Sequence, residues 1–261
     1  MNLDYSNYLK LNNLLTLQHP LSNGPVHDEQ LFIVTHQATE LWFKLLLHEL
    51  DYLATQFSEG HHAEALDTIS RVIIILKNQV TQFEILETLK PTSFSTIREA
   101  LGSSSGFQSS QFRELEFFLG IKHIEKISNL DLHSDAQAKL YERFMQPTLW
   151  DYFLVFIARR GYLIPDEQLH RDVTKGIVPC EHMQNILRDI YFNQQDLTQI
   201  CERLIDMDAL LQQWRYRHLQ IVKRMIGTKN GTGGTSGINY LAQRVLTPVF
   251  PDLWALRSLL Q

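Results

Sequence analysis

Leu204-Ile205-Asp206-Met207-Asp208-Ala209-Leu210-Leu211-Gln212-Gln213-Trp214-Arg215-Tyr216-Arg217-His218-Leu219-Gln220-Ile221-Val222-Lys223-Arg224-Met225 is the stretch on which the fold turns. Leu204, Met207, Leu211, Trp214, His218, Ile221 and Met225 recur at alternating spacings of three and four, the repeat of one helix face. The pattern predicts a helix over about 196–226 with one face buried along its length. A single polar ring, His218, stands in that stripe between Leu211 and Trp214 on one side and Ile221 and Val222 on the other.

Other segments repeat the same period. Residues 27–57 read as a long helix, with Asp28 and Glu29 suited to its N-terminal dipole and Leu31, Val34, Ala38, Leu41, Leu45 and Leu46 at helical spacing. Phe32, Trp42 and Phe43 thicken that face. A polar turn at Ser58 to His62 leads to a second pattern over about 64–89, striped by Ile73, Leu76, Val80, Phe83 and Leu86 and ended by Pro91. A short amphipathic piece at 94–101 and the loop Gly102-Ser103-Ser104-Ser105-Gly106 precede another helical piece through Phe117. Residues 136–160 are helical in pattern, with Pro147 as a kink or break. After the helix that carries His218 come a Gly- and Thr-rich loop at 227–237 and a short helical cap at 240–260, broken by Pro248 and Pro251. No strand alternation or internal repeat is found. The expected fold is all-α, a helical bundle in one domain, 1–261.

Composition narrows the function. The chain has 261 residues, 24 Lys+Arg against 29 Asp+Glu, and 44% hydrophobic residues. A net charge of -5 with no basic block argues against nucleic acid as a partner. The longest apolar runs, Val72 to Leu76 and Phe153 to Ala158, are far short of the ~20 residues that span a bilayer. No basic and apolar leader follows Met1, so the expected location is the cytoplasm. Cys180 and Cys201 read as free thiols. Eleven histidines are the one unusual count.

Two of those histidines carry a chemical argument. His218 on an apolar face needs a partner. A backbone carbonyl is one candidate; a haem iron is the other, because haem is an apolar disc that fits between helices and takes a neutral imidazole. No Cys-x-x-Cys-His occurs, so a haem would be held non-covalently. Arg215, Arg217, Lys223 and Arg224 would pair with propionates or form a solvated face. His36 lies four residues after Phe32 and four before Glu40, on one side of a helix. It lacks the His-Glu-x-x-His spacing of zinc sites, so a hydrogen-bonding role is preferred.

Phe94 and Arg98 share the four-residue spacing and present an aromatic plane beside a guanidinium. They read as a core Phe beside a surface Arg, or as a pair that stacks on a planar ligand and forks a carboxylate. The loop Gly231-Thr232-Gly233-Gly234-Thr235-Ser236-Gly237 fails as a phosphate cradle, since it follows a helix and lacks Gly-Lys-Ser/Thr. It reads as a linker or as a loop that closes over a ligand.

Taken together, five segments make the sequence similar to the tryptophan 2,3-dioxygenase family. They are Tyr5-x-x-Tyr8-Leu9, Phe32-Ile33-Val34-Thr35-His36-Gln37-Ala38-x-Glu40-Leu41-Trp42-Phe43-Lys44, Ser105-Gly106-Phe107-Gln108-Ser109-x-Gln111-Phe112-Arg113, Trp214-Arg215-x-Arg217-His218 and Gly231-Thr232-Gly233-Gly234-x-Ser236-Gly237. They span nearly the whole chain in the family's order. The resemblance implies a haem b enzyme that inserts O2 across the indole C2–C3 bond of L-tryptophan to give N-formyl-L-kynurenine, the first step of tryptophan degradation by the kynurenine pathway. It implies that His218 is the axial iron ligand, with Ser105 and Trp214 also at the haem. His36 would contact the indole nitrogen, Phe32 and Phe94 wall the ring, Arg98 fork the carboxylate, and Gly231 and Thr232 contact the ammonium and carboxylate. Tyr5, Tyr8 and Leu9 resemble a segment, about 1–20, that completes a neighbouring subunit's pocket, which implies a homotetramer. Some bacterial members carry Tyr where this chain has Phe94, which shifts carboxylate anchoring toward Arg98. The chain begins almost at Tyr5, so the longer N-terminal extension of many members is expected to be absent.

An imidazole with a reference pKa of ~6.5 is far too weak to strip an indole N–H proton. The expectation for His36 is therefore hydrogen-bond acceptance that orients the ring. Two competing readings are a haem sensor or carrier without oxygenase activity, and a helical scaffold whose histidines are structural.

Overall fold

Residues 4–125, 134–232 and 238–260 are described by the computed structural model, and no strand occurs among them. Two short helices, α1 (Tyr5–Leu9) and α2 (Leu11–Leu14), precede the long α3 (His27–Glu59) and α4 (His62–Leu86). Helix α5 (Pro91–Leu101), a 3-10 turn at Gly106–Gln108 and α6 (Ser110–Phe118) complete the first half. The second half holds α7 (Ser134–Met145), α8 (Leu149–Arg159), α9 (Asp166–Leu169), α10 (Glu181–Asn193) and the 32-residue α11 (Gln195–Ile226). It closes with α12 (Ile238–Ala242), α13 (Pro251–Ala255) and a 3-10 turn at Leu256–Leu259.

The apolar stripes meet as the periodicity requires. Helix α4 packs against both α3 and α11, and α8 also packs against α3. The main core has Leu53, Phe57, Ile69, Trp150, Phe153, Phe156 and Leu204 almost wholly removed from solvent. Gly60 ends α3 at φ +84, a left-handed turn that its missing Cβ allows, and α4 starts two residues later.

At one boundary the structure chooses between the outcomes the sequence left open, and two others differ from the expectation. Pro147 breaks the 136–160 segment rather than kinking it. Thr148 then caps α8, its hydroxyl accepting from Asp151 N while Asp151 accepts from Thr148 N, a reciprocal box that lets a new helix start. Pro251 starts α13 at a first-turn position where its missing N–H costs nothing. Helix α4 stops at Leu86, and Leu89 turns inward ahead of Pro91.

Sequence reading assigned no element to 181–193. Its buried side chains Met183, Leu187 and Ile190 do follow helical spacing, but only those three are fully buried.

Asp208, fully buried on α11, fastens the C-terminal segment. Its Oδ2 accepts from Val249 N (2.9 Å), Phe250 N (3.1 Å) and Trp254 Nε1 (2.9 Å), and its Oδ1 from Gln212 Nε2 (3.1 Å). Asp28 at the start of α3 accepts from Lys90 N at 3.4 Å and from the Ser93 side chain, which ties α5 to α3 and lowers the Asp28 pKa. That tie sets α5 against α3, with Phe94 beside Phe32.

Candidate active site

His218 sits between rings. It stacks on Trp214 with centroids 5.4 Å apart and planes 22° apart, and on Phe83 of α4 at 6.3 Å and 30°. Trp214 is itself held by Phe112 (5.1 Å), Phe83 (5.5 Å) and Phe43 (6.0 Å), so helices α3, α4 and α6 all brace it. Among the described residues, neither nitrogen of His218 has a hydrogen-bond partner. The carbonyl-bonded structural histidine is thus not what the geometry shows. Desolvation by the surrounding rings pushes the His218 pKa down to about 4, and the nearby His36 and Arg113 push the same way. At neutral pH the imidazole keeps a free lone pair.

His36 belongs to the same neighbourhood, as its electrostatic effect on His218 records. Its Nδ1 lies 2.7 Å from the Phe32 carbonyl oxygen, one turn back on α3. A carbonyl can only accept, so Nδ1 carries the proton and Nε2 presents a lone pair outward. The His36 ring retains exposed surface, yet enough protein surrounds it that desolvation holds its pKa below 6.5 against the opposing pull of the Phe32 bond and Glu40.

An aromatic wall continues from it. Phe32 lies 4.1 Å from the His36 ring and 5.9 Å from Phe94, centroid to centroid. Phe32, Phe94 and Trp214 all pack on the small core formed by Phe83, Leu86, Leu89, Ile97 and Ile221.

Polar contacts close one side. Arg98 Nη2 donates to the Asn230 carbonyl at 2.6 Å, and the Thr232 hydroxyl donates to the Ser104 carbonyl at 2.6 Å. The start of the Gly-rich loop therefore lies across α5 and the serine loop. Gly231 and Thr232 are in place there, whereas 233–237 lie outside the described residues. Ser105 caps the 3-10 turn: its hydroxyl accepts from Phe107 N (3.3 Å) and its own N–H donates to Gln108 Oε1 (3.1 Å).

The N-terminal residues behave differently. Tyr5 and Tyr8 are 75% and 69% exposed and Leu9 is exposed as well, so α1 lays no side chain into this chain's own core. Its downstream segment is anchored through Gln37, the residue after His36, which receives Gln18 Nε2 (2.6 Å) and donates to the Leu17 carbonyl (3.1 Å).

Of the basic residues near His218, Arg215 donates to the Thr247 carbonyl (2.7 Å) and Arg217 pairs with Glu87 (3.0 Å), while Lys223 and Arg224 are exposed. Sequence reading missed Phe83, Phe112 and Arg113. Arg113 is buried, ion-paired with Glu116, and lies over both Phe107 (5.0 Å) and Phe112 (4.9 Å), with its Nε unpaired. The Ser105 to Arg113 motif held the signal, but a cation pointing inward from a helix has no local signature.

These residues meet the demands of a haem site on this chain's own terms. A single neutral imidazole with an unclaimed lone pair, in an aromatic setting, is the donor that haem iron takes. A protein-caged ion would need more ligands, and no group of three or more His, Cys, Asp or Glu stands together among the described residues.

Fold and site together define a protein that is all-helical among the described residues, with two histidines, from α3 and α11, beside an aromatic wall that is the candidate site. The family model described as tryptophan 2,3-dioxygenase matches residues 1–149 and 165–260, and the chain belongs to that family. A protein named tryptophan 2,3-dioxygenase from Herpetosiphon aurantiacus is 48% identical over 259 residues, 98% of each chain. One of the same name from Anaeromyxobacter sp. strain K is 41% identical over 99% of this chain and 96% of its own. Another from Pseudomonas aeruginosa is 40% identical over 98% and 89%.

Proposed function

We propose that the protein is a haem-dependent dioxygenase that inserts both atoms of O2 across the indole C2–C3 bond of L-tryptophan, giving N-formyl-L-kynurenine. The match over nearly the whole chain to relatives of that name carries the reading. Haem b, one per subunit and ferrous when active, would supply the redox-active iron that activates O2.

The chain's residues take the other tasks. His218 would ligate the iron through its free lone pair, with Trp214 stacked on its ring. Ser105 would supply a polar group to the haem pocket. His36 accepts the indole N–H through Nε2, because Nδ1 is committed to Phe32. That bond orients the ring and eases positive charge at nitrogen as oxygen adds to carbon. Phe32 and Phe94 enclose the indole and exclude water from it.

Arg98 keeps guanidinium donors for the substrate carboxylate beyond the one given to Asn230, and Gly231 and Thr232 hold the zwitterionic tail from the loop side. The exposed Tyr5, Tyr8 and Leu9 suit a segment, within 1–20, that completes a neighbour's site in a homotetramer. The chain is read as one domain, 1–261, acting in the cytoplasm on a free amino acid. Among the described residues, no helix is long and apolar enough to cross a membrane.

The deciding experiment follows absorbance of reduced, haem-loaded protein given O2 with and without L-tryptophan. N-formylkynurenine is expected only with the amino acid. A red protein that leaves tryptophan intact would indicate a haem sensor, and a colourless one a scaffold.

A further inference from the structure

Behind the Phe43–Trp214 contact, α3, α4, α6 and α11 line a partly open cavity that no role above uses. Its walls include Phe43, Leu46, Leu76, Phe112, Leu211 and Trp214, and about 30 Å³ of it is open to the centre of a water-sized sphere. The cavity continues the candidate site along the same two helices. Phe43 lies two turns after His36 on α3, and Trp214 lies one turn before His218 on α11. The two rings meet with centroids 6.0 Å apart, so the helices are antiparallel here and the rings partition the site from the cavity.

The wall is almost entirely carbon. Three polar side chains reach it: Gln79, Glu116 and Arg215. Glu116 is ion-paired with Arg113, and Arg215 donates to the Thr247 carbonyl. Gln79 is 2% exposed, and its Nε2 is the one side-chain atom among the cavity's lining residues that is buried without a partner. A water molecule needs two to four partners to settle in such a space, and apolar cavities that cannot supply them stay dry and take up xenon. An indole or an amino acid is too large. What fits is a small apolar diatomic that accepts at most a weak hydrogen bond.

We infer that this cavity is a docking chamber for molecular oxygen, which passes the Phe43–Phe112–Trp214 partition to reach the site. The inference rests on the dioxygenase reading, since O2 is the diatomic that reaction consumes.

Xenon-pressurised crystals of the haem-loaded protein test it without reference to turnover. Xenon density is expected in the chamber; ordered water, or the edge of the macrocycle, in its place overturns the inference. Leu211→Phe and, independently, Leu76→Phe fill the space from α11 and α4. Each should abolish xenon uptake and raise KM for O2 severalfold, with KM for L-tryptophan and the haem spectrum unchanged. An unchanged KM for O2 in a variant that has lost xenon overturns the delivery role. Turnover of tryptophan without xenon uptake refutes the chamber alone, whereas xenon uptake without N-formylkynurenine refutes the activity and the oxygen-delivery role with it.

Discussion

Arg98 and Asn230, 132 residues apart in sequence, are joined by a hydrogen bond of 2.6 Å from the guanidinium to the backbone carbonyl. That side chain holds the loop, and in the proposed function it would also receive the substrate carboxylate.

Replacing Arg98 by Lys keeps the charge and loses the fork. Hydrogen bonds to charged groups contribute about 1.5–3 kcal/mol, so KM for L-tryptophan should rise on the order of tenfold or more. Limited proteolysis after Ile226 should quicken at the same time, because the loop loses its tie. Steady-state kinetics with an unchanged KM would remove Arg98 from the substrate site.

His36→Ala leaves the indole N–H without an acceptor. An unpaired buried donor costs about 1–3 kcal/mol, which corresponds to a fall in kcat/KM on the order of 10- to 100-fold. Complete loss of turnover with substrate bound in an unaltered pose would restore a role as base. Protonation would turn the acceptor into a donor. Because the folded pKa lies below 6.5, activity should persist at pH 6.5 and fail only at more acid pH. A pH profile with its acid limb above 6.5 would contradict this.

His218→Ala should yield protein without the normal haem spectrum. The haem-free wild type carries a second signature. Its imidazole gains a proton near pH 6.5 when unfolded and near 4 when folded, so the unfolded state binds more protons between these values. Stability is therefore greatest above about 6.5 and falls as the pH drops toward 4. His218→Leu should flatten that part of the slope in thermal melts, and an identical slope in the variant would count against the assignment.

Asp208→Ala would strand Val249 N and Phe250 N in the interior and leave the half-buried Trp254 Nε1 without its acceptor. At about 1–3 kcal/mol for each of the two buried donors left unpaired, a loss of about 2–6 kcal/mol is expected. Denaturant unfolding measures it directly; a loss below about 1 kcal/mol would mean that the C-terminal segment is held by other contacts.

Much of this was legible along the chain. The three- and four-residue spacing foretold α3, α4 and α11, because burial of one helix face forces that period on the sequence. His218 stood out because it broke an apolar stripe, and His36, Phe32, Phe94 and Arg98 because each pair shares a helix turn. Helix α10 escaped notice, since three buried residues make too weak a stripe. Arg113 and Gln79 escaped for a different reason: a polar residue on a helix is ordinarily solvated, and nothing local marks one that turns inward.

By itself, then, the sequence determined that the protein is all-helical and where its main helices run, and it singled out His36 and His218 as candidates, since periodicity and residue type are local consequences of helix geometry. Only the tertiary structure decided that His218 is stacked between rings with no hydrogen-bond partner among the described residues, that burial lowers its pKa, that the Phe32 carbonyl sets the tautomer of His36, and that Arg98 is tied to Asn230. Hydrogen-bond satisfaction and desolvation depend on which distant segments come together, and no spacing along a single helix encodes that.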